Sequence, residues 1–292
     1  MKRVLITGVD SYIGDAVAQY LTQWQEKYQV DKVDVRTSEW KKTEFSRYDC
    51  VFHVAGLAHS DTRKLPRQRR ALYYKVNTEL TREVAQQAKE QGVKQFIFMS
   101  TANVYGSSAP IGERKVIMAD TPVDIVNLNG DSKLQAEKCL QGLASDTFRV
   151  VILRAPMVYG RGCKGNYATL SKLAKILPVF PDVQNERTML YIGNLVEFVR
   201  LMIENEEQGL FFPCDKEWYC TSKVVQLIAA ENGKKIRLIP GCTWLLKLLS
   251  HVSGRVNKAF GSFAYAPELG KYKENYQRYA LYGGVKLSER ER

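Results

Sequence analysis

The chain has 292 residues, is 45% hydrophobic and carries a net charge of +12, which suits a globular protein with one full core and a smaller lobe and excludes a tail or linker. No apolar run approaches the ~18–20 residues needed to cross a bilayer, and the six cysteines are scattered with no CxxC pair or Cys/His cluster, so reduced thiols are expected, with no metal site and no disulfide framework. The positive charge suits an anionic partner, but the densest basic run, RKLPRQRR at 63–70, lacks the interleaved aromatics of a nucleic-acid face, so a solvated loop or helix start is expected and nucleic acid is not.

Taken in order, the chain opens on VLITG with no charged-then-apolar leader ahead of it, which makes the cytoplasm the expected compartment. Apolar runs at 4–7, 30–35, 50–55, 95–99 and 150–153 predict strands, and helical spacing at 14–25, 74–91 and 131–144 predicts the helices between them. Strands alternating with helices imply an α/β fold of the doubly wound, Rossmann type, with a parallel sheet covered on both faces. The expected division is a dinucleotide-binding domain over 1–160, with sheet-completing segments further on, and mainly a substrate-binding lobe over 161–292.

Directly after the first strand comes TGVDSYIG at 7–14. Gly8 and Gly14 fit the tight turn and the close helix packing of a pyrophosphate site, while Ser11 occupies the middle glycine position and is small enough for close approach. An acidic residue about 20 positions further on normally binds a ribose hydroxyl, and Asp34 stands there with Arg36 beside it. Only one strand-like run separates the first helix from CVFHVAG at 50–56, so a strand of the usual design is expected to be missing. Asp34 then serves either ribose or adenine, Arg36 is suited to a 2′-phosphate, and NAD and NADP both stay open.

Several segments together resemble the extended short-chain dehydrogenase/reductases, and within them the nucleotide-sugar epimerases, dehydratases and 4-ketoreductases. They are TGVDSYIG, DCVFHVAG at 49–56, YKVN at 74–77, QFIFMSTANVYG at 95–106, SKLQAE at 132–137 and LRAPMVYG at 153–160. The resemblance implies that Gly8, Ser11, Tyr12, Ile13 and Gly14 line the pyrophosphate, that Ala55 and Gly56 pass beneath the cofactor, and that Lys133 holds the nicotinamide ribose. Asn77, Ser100 and Pro156 join the cofactor contacts. Thr101 matches the hydroxyl that orients the sugar oxygen, and Tyr105 a packing and substrate-wall tyrosine.

One position departs from the pattern. A tyrosine that exchanges a proton with the sugar hydroxyl is expected four residues before the lysine, and Asn129 stands there. An amide hydrogen-bonds but does not exchange protons usefully near neutral pH. Either the chain is a degraded relative that still binds its ligands, or a group such as Tyr105, Lys133 or a water substitutes, or Asn129 is a lone change in an otherwise active sequence. Further on, RGCKGNY at 161–167 and NERTMLYIGN at 185–194 resemble the UDP-sugar lobe, with Asn166 and Arg187 at the diphosphate positions. A planar arginine fork suits a diphosphate. The pattern implies a UDP-sugar substrate of the kind used for surface polysaccharide, and a homodimer. The stripe Trp244, Leu245, Leu248, Leu249, Val252, Val256 and Phe260 predicts one amphipathic helix over 244–260, expected to pack on the lobe or a second subunit, with weak contact to a membrane surface as the alternative. His53 and His251 are expected to be structural, and His59 a loop residue.

Overall fold

In the computed structural model, which describes residues 1–58 and 66–290, the alternating half of the chain builds one sheet. Strands β1 (Lys2–Thr7), β2 (Tyr28–Val33), β3 (Cys50–His53), β4 (Gln95–Met99), β6 (Arg149–Leu153) and β10 (Gly209–Phe211) lie in the order β10-β6-β4-β3-β1-β2. Every pairing is parallel. These strands read as nearly unbroken apolar runs because both faces are covered. On one face Phe96, Phe98, Val51 and Ile152 pack with Val84 and Ala88 of α3 (Leu80–Glu90) and Ala136 and Leu140 of α4 (Leu128–Leu143). Each fully buried Val, Leu, Ile or Phe side chain among them contributes about 1.5–3 kcal/mol. On α1 (Tyr12–Leu21), Tyr20 donates to Glu197 of α6 (Ile192–Glu204) over 2.8 Å, which joins those two helices.

The strand order reverses beside β1, with β2 on one side and β3 on the other, so the crevice at the carboxyl ends of β1 and β3 is the switch point where doubly wound sheets bind ligands. As expected, a single strand lies beyond β1. The chain that would supply another forms two short 3-10 turns, Ser38–Lys42 and Phe45–Arg47, which bury Trp40 and Phe45 against the sheet. Strand bounds differ from expectation in four places: β1 and β6 begin two residues and one residue earlier, β2 is shifted two residues toward the N-terminus, leaving Val35 buried in the following loop, and β3 stops at His53 because its ladder to β4 ends there. The helix expected at 74–91 begins earlier, as α2 (Arg67–Tyr74), and passes through a π-helical turn at Lys75–Glu79 before α3. Arg67 and Arg70 are exposed at its start. His59 and residues 63–65 of the basic run lie outside the described residues.

The chain forms two compact units: 1–106 with 123–155 and 196–211, which holds the sheet, and 107–122 with 156–195 and 212–292. The second contains short parallel pairs: β5 (Val116–Ile117) with β12 (Ala264–Tyr265), β7 (Met157–Tyr159) with β9 (Met189–Tyr191), and β8 (Val179–Pro181) with β11 (Arg237–Ile239). Its helices include α5 (Asn166–Ile176), α7 (Thr221–Glu231), α8 (Thr243–Val252), α9 (Gly254–Phe260) and α10 (Leu281–Glu289). The single helix expected over 244–260 is thus two, because Ser253 is extended at φ −134° and ψ 110°. Its stripe does not pack inward as a whole. Leu246, outside the stripe, is the buried residue of α8, while Val256 and Phe260 join it against Ile111 and Val183.

Candidate active site

The turn after β1 is shaped for close approach. Gly8 has φ +92°, and a Cβ there would lie 3.0 Å from the Ala55 backbone nitrogen, so the β1 and β3 loops touch without side chains between them. Ser11 is the N-cap of α1, its Oγ accepting from Gly14 N at 3.3 Å. Tyr12 and Ile13 open the helix, where backbone N–H groups lack intrahelical partners and the dipole is positive. The cradle fits a pyrophosphate. Beyond β2, Arg36 grips Asp34 through Nε at 2.9 Å and Nη2 at 2.6 Å and reaches within 3.6 Å of Asp10. The guanidinium hydrogen bonds hold the exposed Asp34 carboxyl below its usual range.

The second row of the site is carried by α4 and the π turn. Asn77, fully buried in that turn, accepts from Leu57 N at 2.7 Å and donates to Leu57 O and to Ser132 Oγ at 2.9 Å. It ties the loop after β3 to α4, and thereby sets Gly56, where a Cβ would stand 3.0 Å from Lys133 Nζ. π-Helical turns of this kind often mark functional sites. Lys133 is 6% exposed, donates to Met99 O at 2.8 Å and lies 4.4 Å over the Phe98 ring. Burial lowers its pKa to about 8, partly offset by Glu137. Two residues past Met99, Thr101 caps a 3-10 turn (Ala102–Tyr105), its Oγ1 accepting from Asn103 N, so the hydroxyl keeps its proton to donate.

Asn129 lies one turn before Lys133 on α4. It is 6% exposed, and its Oδ1 has no hydrogen-bond partner among the described residues. A buried, unsatisfied acceptor costs about 1–3 kcal/mol, and a ligand hydroxyl would satisfy it. His53 is not a rival proton carrier. It is bonded to Thr7 Oγ1 at 2.8 Å and Thr81 Oγ1 at 3.0 Å, and burial drops its pKa to about 3, so it is neutral and structural as expected.

The sequence motifs contained, without their roles being assigned, a buried ionic network below this row. Arg154 grips Glu137 through Nη2 at 2.7 Å and Nε at 3.2 Å, and donates to the Tyr105 hydroxyl at 2.6 Å; Glu137 also accepts from Ser100 Oγ. Ser100 and Tyr105 are therefore engaged by protein groups, and burial raises the Tyr105 pKa. SKLQAE and LRAPMVYG each held one member of the pair, a Glu and an Arg that burial requires to be compensated, but not which partner each finds.

In the second unit, Arg187 donates through Nη1 to Gly261 O at 2.7 Å and Ser108 Oγ at 3.3 Å, and burial lowers its pKa to about 10. No carboxylate pairs with it among the described residues. Asn166 is the first residue of α5, after Gly165, and Pro156 begins this unit's second segment. Gly193 also has no room for a side chain: a Cβ would lie 2.6 Å from the Tyr191 ring.

The sequence model of the NAD dependent epimerase/dehydratase family matches residues 4–211. The chain belongs to that family. It is 30% identical over 278 residues to a UDP-glucose 4-epimerase of Vibrio cholerae, covering 87% of this chain and 83% of that one. It is 28% identical over 253 residues to an N-acetyl-alpha-D-glucosaminyl-diphospho-ditrans,octacis-undecaprenol 4-epimerase of Escherichia coli O157:H7, covering 80% and 73%. The fold matches a UDP-glucuronic acid 4-epimerase from Bacillus cereus solved in complex with NAD, at TM-score 0.73 and 17% identity over 98% of this chain and 95% of that one.

Proposed function

We propose that this chain binds NAD or NADP together with a UDP-sugar and works as an epimerase or 4-ketoreductase whose proton-transfer step is slowed by Asn129. The observation that carries the reading is the buried, unsatisfied Asn129 Oδ1 one helical turn from Lys133, at the position where the motif resemblance expects the reacting tyrosine. Gly8, Ser11, Tyr12, Ile13, Gly14, Ala55 and Gly56 form the dinucleotide cradle, and Lys133 takes the ribose. A bound nicotinamide supplies the group that accepts and returns hydride. Thr101 donates to the sugar oxygen, Asn129 accepts from the sugar hydroxyl, and the residual proton exchange falls to Lys133, which titrates at about 8. A role in surface polysaccharide precursors is supported by the E. coli relative, whose name describes a sugar diphosphate carried on undecaprenol. The same asparagine favours a second reading, a binding protein that senses dinucleotide or UDP-sugar without turnover.

In this reading Arg187, with Asn166, holds the diphosphate. Arg187→Met is expected to weaken UDP-sugar binding at least ~10-fold, the scale of one lost charge-assisted bond, and to leave dinucleotide affinity unchanged. Calorimetry with UDP-glucose, UDP-glucuronic acid and UDP-N-acetylglucosamine, and separately with NAD(H) and NADP(H), reads both. Equal UDP-sugar affinity in the two proteins would remove Arg187 from the site, and no binding of any dinucleotide by the native chain would end the proposal.

A further inference from the structure

We infer that the outward face of α8 docks this protein on an anionic lipid bilayer. At about 100° per residue, Trp244, Leu245, Leu248, Leu249 and Val252 share one side of α8 in a stripe ~140° wide. They are 69%, 41%, 60%, 43% and 86% exposed. The helix is anchored from its other side, where Leu246 packs with Ile111 and Val183, and α9 adds Val256 and Phe260 to the same cluster, with Phe260 against Phe180 at 5.6 Å between ring centroids. The exposed stripe is therefore not an unfinished core. Its residues are the ones left over after the core contacts are made, and five large apolar side chains in one patch mark an interaction surface.

Charge selects the occupant. From Asn232 to Pro267 the sequence holds Lys234, Lys235, Arg237, Lys247, Arg255 and Lys258 and no Asp or Glu. Lys247 and His251 are both exposed, and on the helical wheel they follow one edge of the stripe. A second copy meeting this face with its own would place like charges together. An anionic bilayer supplies headgroup charge for the cations and acyl chains for the apolar side chains, the match a short basic amphipathic helix needs to lie in an interface. No described helix is long and apolar enough to cross a membrane, so the contact is with the surface. α9 ends at Gly261, whose carbonyl accepts from Arg187. The docking helices and that cation thus share one turn of chain.

The test is independent of turnover. The full chain is sedimented with vesicles of phosphatidylglycerol and phosphatidylethanolamine, or of phosphatidylcholine alone, at low and high salt. Binding is expected to be at least ~10-fold stronger to the anionic vesicles, to weaken with salt, and to produce a blue shift in tryptophan emission that Trp244→Phe loses. Leu248→Glu/Val252→Glu, at exposed positions and checked for unchanged dinucleotide affinity, is expected to abolish it. Failure of the native chain to sediment above the phosphatidylcholine level would overturn the inference. So would a native dimer that the double glutamate variant converts to monomer, since a second copy would then cover the face.

Discussion

Lys133→Met is expected to lower turnover ~10²–10⁴-fold, the usual cost of removing a proton-transfer group, and to flatten the pH profile. Among the groups that the proposed function places around the sugar, Lys133 is the one that titrates near neutrality, at about 8, because burial penalises its ammonium form. Thr101 does not titrate in the working range, burial raises the Tyr105 pKa, and His53 is held neutral. The sign follows from the direction of reaction. Oxidation of a sugar hydroxyl needs a base, so its rate rises as pH climbs through about 8 and the amine becomes neutral. Reduction of a keto-sugar needs an acid, so its rate falls over the same interval. Initial rates in both directions, native against variant, measure this, and a profile that survives in Lys133→Met would assign the proton to another group.

Arg154→Met is expected to destabilise the sheet-bearing unit by ~3–5 kcal/mol, because it leaves the Glu137 carboxylate buried without its partner. Exposure of the two side chains is 10% and 1%, so solvent screens little of the interaction. The double variant Arg154→Met/Glu137→Leu removes the stranded charge and is expected to regain much of the loss, as replacing a whole buried pair often does. Urea unfolding of the single and double variants reads the difference. If the single variant unfolds at the native midpoint, the Arg154–Glu137 pair does not stabilise the sheet-bearing unit.

Much of the sheet was legible in the sequence because parallel strands covered on both faces must be continuous apolar runs, and β1, β4 and β6 answer that requirement closely. The missing outer strand was legible for the same reason, as only one run stood between α1 and β3. Less was legible where tertiary contacts decide the outcome. The pattern over 244–260 satisfies a helical period, yet period alone does not say which face finds a partner, and Ser253 breaks the helix without a proline to announce it. Likewise, SKLQAE and LRAPMVYG gave the lysine and the strand, but the pairing of Glu137 with Arg154 brings together residues that only the fold makes neighbours. Asn129 was visible as a departure from the start. Its buried, unsatisfied oxygen could come only from the packing of α4.

The most direct measurement compares turnover of the native chain and Asn129→Tyr with NAD(H) or NADP(H) and a panel of UDP-sugars, following ligand binding in the same samples. Native protein that binds both ligands and turns over slowly, with a gain of about 10²-fold or more in the tyrosine variant, is the predicted result. If the native chain turns over fast and tyrosine adds little at equal binding, Asn129 is no handicap and the account of the site is wrong.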